Sequence, residues 1–533
     1  ADPCPAGGTR RGTFFRCATL RAMAHEQRSL PWRDAALWSL LALVLATAFA
    51  CATYTRIPPS SDVWDYAQEA RQLARGQGFT SLYTYPTHLG TQPAPFPVRW
   101  RMPLYAAIGA MFLELGVALP LGFFIVAVLA HAILVGLVFL LASHLHSPRA
   151  GVLAAAFAIA SPILLDPFSA GLSQVPAAAL GAAIWFLLLR YARPSSAAAA
   201  GLLAAAAWYL RGETVVMLPL WFLCAARGRR WDRAMAFALV FAALALPWIG
   251  HLRAETGHAS PIRGNPMLLY TPEYPGYSST RTYLEPMPGV ASYVAAHPLT
   301  FAWRFTKDAV GYGVDLLWGL GAFALGLAIA GLLLRDPKQR WGALKPAGWI
   351  LAAALVQIAA FSCLERSPRF LVPAIPFIAV VLGMAAAPAL DRICGRNRQA
   401  LLLTLLVLER AILVGITTRD AERRFPPLPP ATATQLTQTL GPARGGLIWT
   451  DVPDWVSWHL DRPALLLPLW RQRDRVSADH PADAIYLSPD ARKRNEADGE
   501  AQWIRAADGL EPIPGFSKPE ALTAGGQVFL PSY

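Results

Sequence analysis

The chain has 533 residues, of which 55% are hydrophobic and 15% are charged, and its mean hydropathy is +0.36. A soluble domain usually carries about 25% charged residues. This deficit, together with uncharged runs long enough to cross a bilayer, excludes an ordinary soluble enzyme, a disordered chain and a fibrous repeat. The composition predicts an α-helical polytopic membrane protein.

The charge is unevenly distributed along the chain. The net charge is +13, yet residues 419–533 hold 13 basic and 15 acidic residues. A basic excess confined to the hydrophobic part is typical of loops on the anionic cytoplasmic leaflet of membrane lipids, or of phosphate-binding groups, and argues against a nucleic-acid partner. The six cysteines form no C-x-x-C motif, so neither a zinc site nor a disulfide framework is indicated.

In chain order, residues 1–34 form a basic cytoplasmic segment with six arginines. The uncharged run 35–54 predicts a first crossing whose N-terminus lies inside the cell. A cleaved signal peptide is the alternative, because Ala48-Phe49-Ala50 fits a cleavage site. An uncleaved signal anchor is favoured, since the run is longer than the usual apolar core of a signal peptide.

Residues 35–418 are predicted to form a transmembrane module of eleven crossings, within a range of 11–13 helices, with outside loops at 55–118 and 253–311. The stretch 103–118 carries Glu114 and is predicted to be a juxtamembrane helix that does not cross. Basic turns between the runs are placed in the cytoplasm. After the first crossing the apolar runs are 120–142, 150–165, 172–189, 197–210, 214–226, 234–252, 316–334, 346–364, 370–390 and 399–418.

Residues 419–533 are predicted to form a small extracytoplasmic α/β domain. Apolar runs at 446–450, 464–467 and 484–487 predict three buried strands, and 452–459 predicts a helix-like turn between the first two. A segment of about 100 residues can hold its own core.

The first outside loop begins with a segment, 61–79, that carries acidic residues at helical spacing. A helix capped by Ser61 or Asp62 would place Asp62, Asp65, Tyr66 and Glu69 on one face. Carboxylates held at a membrane surface suit general base catalysis or metal binding. For this segment alone, the simpler interpretation is a capping aspartate followed by a solvated helix face.

The pattern D-x-x-x-Y-x-x-x-A-x-x-L-x-x-G-x-G-F from Asp62 resembles the GT-C glycosyltransferases. The similarity is to the family 39 group, which includes bacterial aminoarabinose transferases and protein mannosyltransferases. Further motifs resemble this group in the same order, over roughly residues 35–470. They are R-M-P-L-Y at 101–105, L-R-G-E at 210–213, P-W at 247–248 with Arg253, G-N and L-Y at 264–270, R-F-L-V-P from Arg369, and D-R-P at 461–463.

This resemblance implies a glycosyltransferase of the bacterial inner membrane that moves a sugar from a polyprenyl-phosphate donor to a lipid, protein or glycan acceptor on the extracytoplasmic face. A phosphate leaving group needs no general acid, so one base and nearby cations are sufficient. Asp62 is the predicted base, with Asp65 as the alternative, and a single displacement predicts inversion. Tyr66, Glu213 and Tyr270 are predicted to position the substrate.

Six arginines on the predicted outer side are candidates for binding the donor phosphate, because a guanidinium offers two parallel donors to phosphoryl oxygens. Two of them, Arg369 and Arg211, rank first because they adjoin apolar helices. Their alternative role is snorkelling at the interface, or an internal ion pair with Glu213 or Glu365. The six candidates are Arg99, Arg101, Arg211, Arg253, Arg366 and Arg369.

Three positions depart from the family pattern. Val63, Gly212 and Gln174 stand where relatives often have Glu, Pro and an acidic residue, respectively. These departures leave the need for a divalent cation open, and no metal ligand is assigned. Two other functions are considered, a transporter or flippase of a lipid-linked or anionic substrate and a non-catalytic GT-C relative. The lack of an inverted repeat and the folded outer tail favour the enzyme over the transporter.

Overall fold

The structure is a computed structural model, and it describes most of the chain from residue 31 onward. The described residues are 31–53, 61–90, 92–159, 161–169, 171–256, 273–274, 277–283, 288–335, 344–363, 366–392, 404–406, 408–409, 411–413, 415–416, 428, 430–441, 446–497, 500–523 and 525–532. Tyr270, residues 1–30 and most of the predicted run 399–418 therefore lie outside the described part.

Among the described residues, most of the helices lie in the first three quarters of the chain. They are α1 (Trp32–Thr53), α2 (Ser61–Ala74), α3 (Pro103–Glu114), α4 (Leu119–Leu145), α5 (Pro148–Ile159), α6 (Pro162–Ser169), α7 (Gln174–Arg190), α8 (Pro194–Leu210), α9 (Leu218–Ala225), α10 (Trp231–Thr256), α11 (Val290–Ala296), α12 (Pro298–Leu320), α13 (Ala322–Leu333), α14 (Gly348–Ser362) and α15 (Ile375–Arg392). The long helix α4 is the centre of the bundle, because it packs against α1, α5, α7 and α15.

Several of these helices have the length and composition of membrane spans. Within the described residues, four pass that test, namely α1, α4, α10 and α14 with the turn before it, and a fifth passes if α12 and α13 count as one bent span. The remaining apolar helices are shorter. The predicted helical, multi-pass membrane architecture is confirmed, whereas the count of eleven crossings stays a prediction.

The predicted run 316–334 is bent. Helices α12 and α13 meet at 96°, and the corner residue Gly321 has a φ of +79°, a conformation that favours glycine. The turn leaves the first N–H groups of α13 without helical partners. A carboxylate oxygen of Glu409 accepts a hydrogen bond from the Phe323 N–H at 2.8 Å. Glu409, a charged residue inside the predicted run 399–418, thus caps the helix that follows the bend.

The predicted C-terminal α/β domain is present. Its sheet has six strands in the order β2-β5-β4-β6-β8-β7, in which β4, β5 and β6 are parallel and match the three predicted strands. The strands of the chain are β1 (Thr80–Ser81), β2 (Tyr83–Thr84), β3 (Phe96–Pro97), β4 (Ile448–Thr450), β5 (Ala464–Leu466), β6 (Ala484–Leu487), β7 (Glu520–Ala521) and β8 (Gln527–Phe529). The helices of this region are α16 (Pro430–Leu440), α17 (Pro453–Leu460), α18 (Arg473–Asp479), α19 (Ala491–Ala497) and α20 (Ala501–Ala507).

One strand of this sheet comes from the segment between α2 and α3. Strand β2 pairs in parallel with β5, with Tyr83 opposite Ala464. The predicted domain 419–533 is therefore completed by two residues that lie far earlier in the chain. A two-residue strand is too short to show the alternation from which strands are predicted, which is why this pairing was not expected.

Helix α2 lies between the bundle and the C-terminal domain. Its apolar face, which includes Val63 and Tyr66, packs against Tyr105 of α3 and Phe123 of α4. At its other end, the Arg71 guanidinium donates hydrogen bonds to the backbone carbonyls of Trp458 (2.9 Å) and Ser457 (2.8 Å) near the end of α17. The helix that carries the predicted base is therefore fixed from both sides.

Replacing Arg71 with Met is expected to loosen this contact. The variant keeps the apolar stem but loses two charge-assisted hydrogen bonds, which contribute about 2 kcal/mol each when the donor is charged. Hydrogen exchange of the full-length protein in detergent should become faster in α2 and α17. The matched control is Arg75→Met, because Arg75 pairs with Asp461 at an exposed position and such pairs contribute about 0–1 kcal/mol. Equal effects of the two variants would contradict the assignment.

Candidate active site

Two carboxylates on α2 share one arginine. Asp62 and Asp65 lie three residues apart, so both side chains point from one face of the helix. The Arg101 guanidinium donates its Nη2 to Asp62 Oδ1 and its Nε to Asp65 Oδ2, the latter at 2.6 Å. The same guanidinium lies over the ring of Tyr66, 5.0 Å from the ring centre. Arg101 thereby fixes the relative positions of the two carboxylates.

A second arginine, which lies about 300 residues later in the chain, also contacts Asp62. Arg369 lies in a short 3-10 turn, Pro368–Leu371, just before α15. Its Nη1 donates to Asp62 Oδ2 at 2.7 Å. The Arg369 side chain is 43% exposed and that of Asp62 is 15% exposed. The two residues therefore meet where the site opens to its surroundings, and part of the Arg369 guanidinium is accessible to a ligand.

Arg211 forms a third positive charge beside Asp62. Its Nη2 pairs with Glu213, one of the two partners considered for it from the sequence, and its Nη1 donates to Ser173 Oγ at 3.2 Å. The Ser173 hydroxyl is also within 2.9 Å of the Tyr66 hydroxyl. Arg211, Glu213, Ser173 and Tyr66 thus form one connected network next to the Asp62 carboxylate.

The three guanidiniums determine the charge of Asp62. Burial raises the pKa of this carboxyl, but the positive charges of Arg101 and Arg369, assisted by Arg211, outweigh burial and hold the pKa well below its usual range. Asp62 is therefore a carboxylate throughout the neutral pH range. It has the ionisation state that a proton acceptor requires.

Asp65 has a different environment from Asp62. Its side chain is buried, and its two oxygens accept hydrogen bonds from the indole Nε1 of Trp100 at 3.0 and 3.1 Å, in addition to the bond from Arg101. Sequence reasoning did not single out Trp100 or Ser173. The only signal for Trp100 is its position next to Arg101, and an isolated serine carries none.

The other predicted site residues have different contacts or lie outside the described part of the chain. Arg366 forms a bidentate pair with Asp315 of α12, at 3.0 and 2.7 Å. Arg99 is buried against Gly90, and Arg253 is exposed on the last turn of α10. Tyr270 lies outside the described residues. The structure thus gathers Asp62, Asp65, Tyr66, Arg101, Arg211, Glu213 and Arg369, and separates Arg366 from them.

The donor set of this site does not fit a divalent cation. Both oxygens of Asp62 and one of Asp65 already bind guanidinium groups. Across the described part of the chain, no group of three or more His, Cys, Asp and Glu side chains could hold a metal ion. No step of the chemistry below is assigned to a metal.

The whole fold has counterparts among solved structures. ArnT from Cupriavidus metallidurans bound to undecaprenyl phosphate is 14% identical, with a TM-score of 0.55, over 92% of this chain and 97% of that one. The Archaeoglobus fulgidus oligosaccharyltransferase AglB, in complex with an inhibitory peptide and a dolichol-phosphate, is 12% identical, with a TM-score of 0.55, over 93% and 74%. Both are GT-C glycosyltransferases. The chain has the GT-C fold.

A third GT-C protein has a similar fold. The mycobacterial arabinofuranosyltransferase AftD is 16% identical, with a TM-score of 0.54, over 95% of this chain and 40% of that one. The chain matches no protein-family model and no curated protein sequence. At 12–16% identity these similarities establish the GT-C fold, and this confirms the architecture that the sequence motifs predicted.

Proposed function

We propose that this GT-C chain is a membrane glycosyltransferase that moves a sugar from a polyprenyl-phosphate donor to an acceptor hydroxyl or amine on the extracytoplasmic face. The observation that carries the proposal is the Asp62 carboxylate held between Arg101 and Arg369 at the open side of the site. An ionised base beside accessible guanidiniums is the arrangement that this reaction needs. The proteins of similar fold that hold undecaprenyl phosphate and dolichol-phosphate support the class of donor.

The donor phosphate replaces Asp62 on Arg369. The phosphate of this diester donor offers two non-bridging oxygens, which share one negative charge, to a guanidinium that binds a single carboxylate oxygen in the free protein. Bidentate arginine–phosphate pairs are strong. Once Arg369 turns to the phosphate, Asp62 Oδ2 is released and its carboxylate becomes more basic. Donor binding thereby prepares the base.

The transfer is a single displacement. The acceptor oxygen or nitrogen forms a bond to the anomeric carbon, and the bond from that carbon to the phosphate oxygen breaks. The electron pair of the broken bond leaves with the phosphate, which Arg369 and Arg211 stabilise. The acceptor proton passes to Asp62 and from there to water. Attack opposite the leaving group inverts the anomeric carbon.

Asp65, the alternative base from the sequence, is assigned a positioning role. A carboxylate whose oxygens already accept bonds from Trp100 and Arg101 has little capacity left for the acceptor proton. Its negative charge instead orients Arg101, and Arg101 orients Asp62. Tyr66 and Glu213 act in the same way by holding Arg101 and Arg211.

The proposal is tested by following the carrier lipid. Purified full-length protein, supplied with a polyprenyl-phosphate sugar and an acceptor, should release polyprenyl phosphate and form a product with inverted anomeric configuration. A parallel arm places the same labelled donor in sealed vesicles. Labelled donor that crosses the vesicle membrane without release of polyprenyl phosphate would support the transporter and refute the transferase.

Replacing Arg369 with Gln is expected to lower kcat/KM for the donor by about 10- to 100-fold, the equivalent of one or two charge-assisted hydrogen bonds to phosphate. The measurement is initial rate against donor concentration. Arg366→Gln is the matched control, because Arg366 is three residues away, similarly exposed, and paired with Asp315 instead of Asp62. If Arg366→Gln loses as much activity as Arg369→Gln, the phosphate is not bound at Arg369.

A further inference from the structure

Helix α2 carries a buried polar stripe that the proposed reaction only partly uses. The stripe, defined as Asp65, Gln68, Glu69 and Gln72, has spacings of three, four and seven residues, so its members share one face. Each side chain is at most 1% exposed. Burying polar groups is costly unless they have partners. Of these four residues, only Asp65 takes part in the reaction proposed above.

Glu69 faces Asp65 one helical turn away in this stripe. Two buried carboxylates side by side cannot both be charged at low cost, and one of them keeps a proton. The cation that acts on Glu69 is Arg101, whose Nε and Nη2 already bind Asp65 and Asp62. Since Asp65 holds the direct bond to the guanidinium, Glu69 is the member of the pair that retains the proton.

The surroundings of Glu69 favour its neutral form. Burial and the negative charge of Asp65 raise the pKa of the Glu69 carboxyl well above its usual range, and Arg101 opposes them only in part. The neighbouring elements add further groups near Asp65. They are Tyr83 and Tyr85 of the first loop and Asp454 of α17, whose pKa burial raises to about 7.

We propose that Glu69 is a positioning residue that acts as a neutral acid, directing its proton toward Asp65 and so holding the chain of contacts from Asp65 through Arg101 to Asp62. The inference rests on the proposed transfer reaction for its kinetic consequence. When Glu69 loses its proton as the pH rises, its new charge repels Asp65 and competes for Arg101. The alignment of Asp62 is lost, and turnover falls.

The stability of the folded protein depends on the same proton. The unfolded chain loses the Glu69 proton above about pH 4, whereas the folded chain keeps it. The folded state therefore binds the extra proton, and stability decreases as pH rises until the native Glu69 also ionises. Glu69→Gln, which has no proton to lose and the same shape, removes this decrease.

The experiment compares the full-length protein in detergent with Glu69→Gln, using Glu114→Gln as the matched control because Glu114 is exposed at the end of α3. Infrared spectra at neutral pH should contain a protonated-carboxyl band that Glu69→Gln removes and Glu114→Gln leaves in place. Asp454→Asn identifies any share of the band that belongs to Asp454. An unchanged band in Glu69→Gln would overturn the proposal, and this arm needs no substrate, so it is independent of the transferase assignment.

The kinetic arm tests positioning. Glu69→Gln should keep kcat at neutral pH within about threefold and lose the decline of kcat with rising pH that the unmodified chain shows. Glu69→Leu should lower kcat by about 10- to 100-fold with donor KM unchanged, because a small displacement of a catalytic group has an effect of this size. A decline with rising pH that persists unchanged in Glu69→Gln would refute the role of Glu69, even in a protein that is an active transferase.

Discussion

Asp62→Asn is expected to lower turnover by about 10²- to 10⁴-fold, the usual contribution of a positioned general base. The amide has nearly the same shape as the carboxylate but cannot accept the acceptor proton. The affinity for the donor should be unchanged or higher, because Arg369 no longer has to break an ion pair with Asp62 before it binds the phosphate. Single-turnover rates and direct measurement of donor binding separate these two effects.

Asp315→Asn is the matched control for this result. Asp315 also pairs with a partly exposed arginine, Arg366, so its replacement breaks a similar ion pair without removing the proposed base. Turnover in Asp315→Asn should remain within about threefold of that of the unmodified chain, because a partly exposed ion pair contributes little. Full turnover in Asp62→Asn would show that the base is another group, and the geometry would then have to be reassigned.

Arg101→Gln is expected to have the largest effect on stability. The substitution leaves Asp65 buried without its cation and removes one of the two cations on Asp62. Breaking a buried ion pair from one side costs about 3–5 kcal/mol, because the remaining charge is uncompensated. Thermal unfolding of the full-length protein in detergent should therefore occur at a clearly lower temperature.

A second substitution distinguishes charge from packing. If the unpaired carboxylate causes the loss of stability, Arg101→Gln combined with Asp65→Asn should unfold at a higher temperature than Arg101→Gln alone. The effects of substitutions at contacting residues on stability are not additive. A double variant that is less stable than the single one would show that Arg101 stabilises the site through its packing on Tyr66 instead. Neither variant should recover normal turnover, because Asp62 loses its alignment in both.

The general architecture could be predicted because the sequence patterns that indicate it extend over many residues. Apolar runs near the length of a bilayer span and three buried strands after residue 446 are visible without any tertiary information. The bend at Gly321 could not be predicted in the same way, since a single glycine in an apolar run is compatible with a straight helix. The Phe323 N–H that follows the bend finds its partner in the carboxylate of Glu409, which lies in another run.

The site was predicted in part. The resemblance to the GT-C motifs selected Asp62 and Asp65, which helical spacing alone would leave as a cap and a solvated face. The charges of Arg369 and Arg211 beside apolar helices ranked these two arginines first. Arg366 satisfied the same criteria but pairs with Asp315, because charge and position in the chain do not specify which helices are neighbours. Trp100 and Ser173 were missed because hydrogen bonds to a carboxylate or a hydroxyl have no periodic pattern.

Strand β2 also affects when the C-terminal sheet can be completed during synthesis and whether the C-terminal domain can be exchanged between proteins. Its two residues leave the ribosome about 380 positions before their partners in β5. The edge of the C-terminal sheet can therefore be completed only after β5 has been synthesised. A graft of residues 419–533 onto another scaffold would arrive with an unpaired edge, the kind of surface that recruits foreign strands. The tail is therefore not an exchangeable module, and it can be transplanted only together with the first loop.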